Sequence, residues 1–126
     1  MPLIRISIRK GRDGAYKRAL AEGVYEALRE SFDVPEDDKF VVIHEHEDDA
    51  FVFAPSYLGI AHDAGLVLIQ ITVSNTRSQA QKQALYSAIV ARLARDPGIE
   101  PRNVFINLLE VVKENWSFGD GVAQYV

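Results

Sequence analysis

Cysteine is absent from this 126-residue chain, which excludes disulfides and thiolate chemistry. No apolar run is long enough to span a bilayer, and no charged-then-apolar leader opens the chain, so we expect no membrane partner and a cytoplasmic protein. Basic clusters are missing as well, and the net charge of −4 argues against nucleic-acid binding. The remaining composition, 48% hydrophobic and 25% charged, is ordinary for one globular domain covering residues 1–126.

The first strand gives the clearest local pattern. Pro2 is followed by strict alternation of apolar and polar residues, which is typical of a half-buried β-strand. If Met1 is removed, as the small ring at position two should permit, Pro2 becomes a secondary amine at the start of a sheet. An α-amino group titrates at about 7.7–8.0, closer to neutrality than any lysine. Pro2 is therefore a candidate group for proton transfer, and a chance Met-Pro start is the alternative.

The chain also matches itself at one offset, which indicates an internal repeat. The identical pairs include Ile4 with Ile69, Ile6 with Ile71, Lys17 with Lys82, Leu28 with Leu93 and Glu45 with Glu110. Each half predicts a strand (3–9 and 66–74), a helix (about 14–31 and 79–96) and a closing strand (40–45 and 104–111). We therefore predict two pseudo-repeated β-α-β units over 2–45 and 67–110.

These units predict an α+β fold with a four-stranded sheet and two helices on one face. Asp13 and Ser78 occupy matching N-cap positions, and Ser78 with Gln81 has the spacing of a capping box. The aromatic stretch over 46–65 predicts a packed loop with a short strand at 51–53. The Asp-Gly pair at 120–121, followed by an apolar tail, predicts a small terminal hairpin.

Topology then brings three chemical groups together. Parallel strands of one crossover start at the same sheet edge, so Asp38, just before the second strand, is expected beside Pro2. If the two units pair antiparallel, Arg77 returns to the same edge. A neutral proline nitrogen can take a proton alpha to a carbonyl, Arg77 can hold a carboxylate, and Asp38 can orient or deprotonate water. The alternatives are a surface arginine at a helix start and a solvated turn residue in an acidic run.

The Met-Pro start, the double β-α-β pattern and the segments near 35–40, 74–85 and 114–121 resemble the tautomerase superfamily. Within it, the likeness is greatest to the malonate semialdehyde decarboxylase group, and Trp116-Ser117-Phe118-Gly119 is its most specific part. The resemblance implies catalysis by the amino-terminal proline, here Pro2, and a homotrimer. It also implies that Asp38 acts with water, that Arg77 binds the substrate carboxylate, and that Trp116 and Phe118 form an apolar pocket wall.

One departure from that group concerns the substrate-binding residues. The decarboxylase carries two arginines, two residues apart, at the end of the third strand, whereas this chain has Asn75 in the first place and keeps only Arg77. We therefore expect a tautomerase that uses Pro2 as general base on a 2-oxo acid such as phenylpyruvate. Two alternatives stay open. One is a malonate semialdehyde decarboxylase or hydratase with cationic Pro2 and water activated by Asp38; the other is a non-catalytic trimer that binds a carboxylate.

Histidines offer the only metal-ligand pattern in the sequence. His44 and His46 share one face of a predicted strand, a spacing that can ligate a metal. Only His62 remains as a further histidine, and the nearby carboxylates are expected to be solvated. We therefore expect no metal and no cofactor.

Overall fold

The computed structural model describes all residues, from Met1 to Val126. The elements follow in the order β1 (Leu3–Arg9), α1 (Gly14–Phe32), β2 (Val41–His46), β3 (Ser56–Tyr57), β4 (Ile60–Ala61), β5 (Val67–Ser74), α2 (Gln79–Arg95) and β6 (Val104–Val111). Short 3-10 turns lie at Asp48–Ala50, Pro101–Asn103 and Lys113–Asn115. Neither helix has the length and apolar content needed to cross a membrane.

The main sheet has the strand order β2-β1-β5-β6. β1 pairs in parallel with β2, β5 pairs in parallel with β6, and the two units meet through the antiparallel pair of β1 and β5. In that central pair Leu3 lies opposite Thr72. The predicted α+β class, with two β-α-β units in one four-stranded sheet, is confirmed.

The core lies between the sheet and both helices. Strand residues at period two and helix residues at helical spacing point into it, as their sequence patterns require. Its fully buried members include Ile4, Ile6, Ile69, Ile71, Leu20, Val24, Leu28, Leu85, Ile89 and Leu93. The helices approach closely at Gly23, where an added Cβ would lie 2.8 Å from Leu93 Cδ2. The opposite face of the sheet carries no helix.

Both predicted helix starts are confirmed. The Asp13 side chain accepts a hydrogen bond from the backbone N–H of Tyr16, and Ser78 and Gln81 form the reciprocal bonds of a capping box. Such a cap contributes about 1 kcal/mol because it satisfies amides that have no partner in the helix. These caps fix where each helix begins after the end of its preceding strand, and hence where Arg77, just before α2, leaves the sheet.

The two units also carry the same ion pair. Lys17 Nζ lies 2.7 Å from Glu45 Oε1, and Lys82 Nζ lies 2.8 Å from Glu110 Oε1. In each case the helix reaches over the closing strand of its own unit, at positions that the sequence match had paired. The interpretation of 2–45 and 67–110 as a duplication stays a prediction.

Two expectations for the connecting segments are wrong. No terminal hairpin forms, because the side chain of Gln124 takes the place of a strand ladder: it accepts from Phe118 N and donates to Gly119 O. No strand forms at 51–53 either. There Phe51 packs against His46 and Phe53, and the hairpin of this region is β3-β4, several residues later.

Candidate active site

Four chain segments meet at one edge of the main sheet. Because β1 and β5 are antiparallel while each pairs in parallel with its own partner, the starts of β1 and β2 lie beside the ends of β5 and β6. All six residues predicted for the site fall in these segments. Pro2 precedes β1, Asp38 precedes β2, Asn75 and Arg77 follow β5, and Trp116 and Phe118 follow β6.

The amino end of the chain and Asp38 are in direct contact. Pro2 is buried at the start of β1, and the amino nitrogen of Met1 lies 3.6 Å from Asp38 Oδ2. The Asp38 side chain is only 17% exposed, so it is not the solvated turn residue of the alternative interpretation. β1 and β2 are joined just beyond this point by the hydrogen bond from Ile4 N to Phe40 O, at 3.0 Å. A carboxylate therefore faces the amino terminus at the sheet edge.

Helix α1 holds the segment that carries Asp38. The buried Tyr25 has its hydroxyl within hydrogen-bond distance of the carbonyl oxygens of Pro35 and Glu36, and it can donate to one of them at a time. Burial raises the pKa of the Tyr25 hydroxyl above its ordinary value near 10, so it stays a donor at neutral pH. Asp38 N closes the turn by donating to Pro35 O at 3.3 Å.

The end of the same helix holds Arg77. Its Nη2 donates to the carbonyl oxygen of Phe32 at 2.8 Å, and its guanidinium carbon lies 4.9 Å from the centre of the Phe32 ring. Nη1 donates to Thr76 Oγ1 at 2.9 Å. Arg77 has no acidic partner within ion-pair distance in the chain. The arginine is thus oriented by neutral groups while its charge is left without a partner.

Asn75 and the aromatic pair follow the ends of β5 and β6. Asn75 N donates to Val111 O at 3.1 Å, which prolongs the β5-β6 ladder, and its side chain is exposed. The rings of Trp116 and Phe118 stack at 5.4 Å, and Phe118 meets Tyr125 edge-on at 4.8 Å. The indole N–H of Trp116 is buried without a hydrogen-bond partner.

The structure does not join every predicted member of the site. No hydrogen bond or ion pair within the chain links Arg77 to Asp38, and the Asn75 side chain forms no hydrogen bond to either of them. Two sizeable cavities lie elsewhere, one of about 650 Å³ between β3-β4 and β6 and one of about 760 Å³ on the open sheet face. Neither of these two cavities is lined by Pro2, Asp38 or Arg77.

The two histidines of the metal-ligand pattern have other neighbours. His44 Nε2 lies 3.2 Å from Arg5 Nη1 on the open sheet face, and the ring of His46 packs against Phe51. No group of three histidine, aspartate or glutamate side chains in the chain is arranged to hold a metal ion.

Two site contacts were missed in the sequence. Tyr25 and Phe32 both belong to the buried side of α1 and look like ordinary core residues. A tyrosine within an otherwise apolar helix face was the available signal, since a buried hydroxyl usually has a hydrogen-bond partner. For the carbonyl of Phe32 there was no signal in the sequence beyond its place at the helix end, where carbonyl groups lack partners within the helix.

Comparison with known proteins agrees with this arrangement. A family profile described as tautomerase enzyme matches residues 38–119, and a second of the same description matches residues 2–61. The chain is 36% identical to the probable tautomerase YusQ of Bacillus subtilis (strain 168), over all of this chain and 99% of the relative.

Solved structures of known proteins share the fold. A crystal structure of malonate semialdehyde decarboxylase, described as a basis for decarboxylase and hydratase activities, is 30% identical with a TM-score of 0.90, covering 98% of this chain and 95% of that one. A fused 4-OT described as a symmetric trimer shares the fold at 22% identity and a TM-score of 0.77, covering 95% and 94%. The predicted resemblance to the tautomerase superfamily and its decarboxylase group is confirmed.

Proposed function

The chain belongs to the tautomerase superfamily, and from that membership we propose that it is a cofactor-free tautomerase acting on a 2-oxo acid such as phenylpyruvate. In this proposal Met1 is removed from the chain, and the Pro2 nitrogen acts as the general base. The observation that carries it is the position of the amino end of the chain, at a sheet edge that also receives Asp38, whose Oδ2 lies 3.6 Å from the Met1 nitrogen, and Arg77. Removal of Met1 transfers the amino group to Pro2, which is buried at that edge.

The roles follow from charge. In the keto-to-enol direction, neutral Pro2 takes a proton from the carbon alpha to the ketone, and the electrons of that C–H bond form the C=C bond. The ketone oxygen becomes the enol oxygen by taking a proton from a water that Asp38 orients, and the hydroxide left behind takes the proton from Pro2, which restores the water and the neutral base. Arg77, which lacks an acidic partner, binds the substrate carboxylate by charge-assisted hydrogen bonds. Trp116 and Phe118 supply the apolar wall for the substrate side chain.

Asn75 makes the substrate preference testable. Decarboxylation of a 3-oxo acid needs a held carboxylate and a cation near the ketone oxygen, and one arginine serves only one of these tasks. Neutral donors such as an amide are roughly half as strong as charge-assisted ones. We therefore expect clear phenylpyruvate tautomerisation by the processed wild type and weak or no decarboxylation of malonate semialdehyde. Asn75→Arg is expected to raise decarboxylation, as followed by carbon dioxide release.

The matched control is Lys10→Arg, because Lys10 is the residue that the internal repeat pairs with Asn75, and it lies at the opposite edge of the sheet. This variant is expected to change neither activity. Efficient decarboxylation by the wild type would instead favour the decarboxylase, with cationic Pro2 and water activated by Asp38. That alternative draws support from the 30% identical malonate semialdehyde decarboxylase.

We further propose a homotrimer. The sheet face that carries no helix exposes large apolar side chains, which a monomer of this size rarely leaves open to water. They are Phe40, Val42, Phe105 and Leu109. The apolar turn residue Leu58 is 84% exposed with a φ of 51°, and the tail residues Val122 and Val126 are exposed as well. Burial against copies of the chain would remove this area from water.

Sedimentation velocity at micromolar concentration checks this assembly. We expect one species with three times the mass of the chain, and we expect Phe105→Glu on the open face to shift it to monomer. Gln83→Glu, which adds the same charge on the exposed side of α2, is expected to leave the trimer intact. A monomeric wild type would contradict the homotrimer without touching the assignment of Pro2.

A further inference from the structure

We propose that Tyr25 is a positioning residue whose hydroxyl holds the segment 35–38 so that the Asp38 carboxylate faces the amino end of β1. The inference rests on the proposed function, because Tyr25 acts on the reaction only through Asp38. Tyr25 itself lies in the core side of α1, 2% exposed, and touches no predicted substrate group.

The contacts converge on one oxygen atom. The Tyr25 hydroxyl lies within hydrogen-bond distance of two consecutive carbonyl oxygens, those of Pro35 and Glu36. One buried side chain therefore binds the backbone of the turn that leads to Asp38. The hydroxyl can donate to either of these carbonyls, one at a time.

Other links to this segment are weaker. Residues 35–37 are exposed and belong to no helix or strand. The turn has a single long backbone bond, from Asp38 N to Pro35 O at 3.3 Å. Lys39 pairs with Glu22 on α1, but exposed ion pairs of this kind contribute only about 0–1 kcal/mol. Exposed segments with so few bonds open easily, so the buried hydroxyl is the contact that fixes Asp38.

Packing alone does not account for the hydroxyl. A phenylalanine would fill the same place between the sheet and the helices, and it would bring no polar atom into the core. Burying a hydroxyl carries a free-energy cost unless it is hydrogen-bonded, and here its partners lie in the segment of Asp38. The bonds thus couple a core position to a site position.

The first test compares two tyrosines of the same helix in the Met1-processed protein. Tyr25→Phe is expected to lower kcat for phenylpyruvate by about tenfold, since misplacement by ~1 Å can cost up to about 10²-fold, while KM changes little. Tyr16→Phe is the matched control because the Tyr16 hydroxyl makes no hydrogen bond in the chain, and it is expected to leave kcat unchanged. Equal kcat values for the two variants would overturn the proposal.

The second test asks whether the effect passes through Asp38. In an Asp38→Asn background, Tyr25→Phe is expected to cause no further loss of kcat, whereas the same fold-loss in both backgrounds would indicate a merely structural role and overturn the proposal. Nitrogen NMR gives a readout that needs no turnover. A nearby carboxylate favours the protonated amine, so Tyr25→Phe is expected to lower the pKa of the Pro2 nitrogen toward its value in Asp38→Asn.

These measurements test the proposed function and the role of Tyr25 separately. An inactive wild type would contradict the proposed function, while the titration of the Pro2 nitrogen would still decide the role of Tyr25: an unchanged pKa in Tyr25→Phe overturns it. Hydrogen exchange of the wild type covers the case of a variant that does not fold. The Asp38 amide is expected to exchange as slowly as amides inside α1, and exchange at the rate of an exposed loop overturns the proposal.

Discussion

Pro2→Ala is expected to lower phenylpyruvate tautomerisation by about 10²–10⁴-fold, the usual contribution of a positioned general base. The reason is that the primary amine of alanine lacks both the basicity and the fixed placement of the proline ring. The substitution is expected to leave the fold unchanged, because the contacts of β1 in the sheet begin beyond this residue. Steady-state kinetics on protein whose intact mass shows the loss of Met1 is the measurement.

A fused version of the chain provides the control for this substitution. Residues placed ahead of Pro2 turn its nitrogen into an amide, which has no basicity, so this protein is expected to be as inactive as Pro2→Ala. Activity of either protein within about threefold of the wild type would contradict the general base. A loss that small is far below the contribution of positioned proton transfer. Retention of Met1 in the native protein would favour the non-catalytic carboxylate-binding alternative.

Arg77→Ala is expected to lower kcat/KM for phenylpyruvate by about 10- to 100-fold, mainly through KM. Hydrogen bonds to charged groups contribute about 1.5–3 kcal/mol, and the carboxylate of the substrate would lose its only cationic partner. The matched control is Arg12→Ala. Arg12 lies just before the N-cap of the other helix, at the position that the internal repeat pairs with Arg77, and it lies over the Tyr16 ring just as Arg77 lies over Phe32.

Kinetics and unfolding measured together distinguish a loss of substrate binding from a loss of fold stability. Arg77 also donates to Phe32 O, so urea unfolding of the variant is measured beside its kinetics. Arg77→Lys keeps the charge but loses the paired donors of the guanidinium, and it is expected to fall between wild type and alanine. A kcat/KM loss that is equal in Arg12→Ala and Arg77→Ala would contradict the assignment of the carboxylate to Arg77.

Local patterns in the sequence were enough to predict the fold. Alternation at period two predicted β1 with the bounds that the structure has, and the caps at Asp13 and Ser78 predicted where the two helices begin. Strand alternation and helix capping each depend on residues only a few positions apart. The edge that gathers Pro2, Asp38 and Arg77 needed one further assumption, the antiparallel pairing of the two units. The structure has that pairing.

Contacts between distant segments could not be predicted in the same way. The bond of Arg77 to Phe32 joins residues 45 positions apart, and the hydroxyl of Tyr25 meets a segment whose path depends on the helix end. The terminal segment was mispredicted because an Asp-Gly turn is equally suited to a chain that folds back onto a side chain and to one that forms a hairpin. Gln124 provides that side chain, and nothing in the local pattern distinguishes it from a strand residue.

The central claim is that Pro2 acts as a neutral base, and one comparison tests it directly. The pKa of the Pro2 nitrogen is titrated by NMR in the processed protein, and kcat/KM for phenylpyruvate is measured over the same pH range. Only the neutral amine can take a proton, so the account predicts that kcat/KM rises with pH through that pKa and levels off above it. A kcat/KM that falls as pH rises through the pKa of Pro2, or that does not change across it, would contradict the claim.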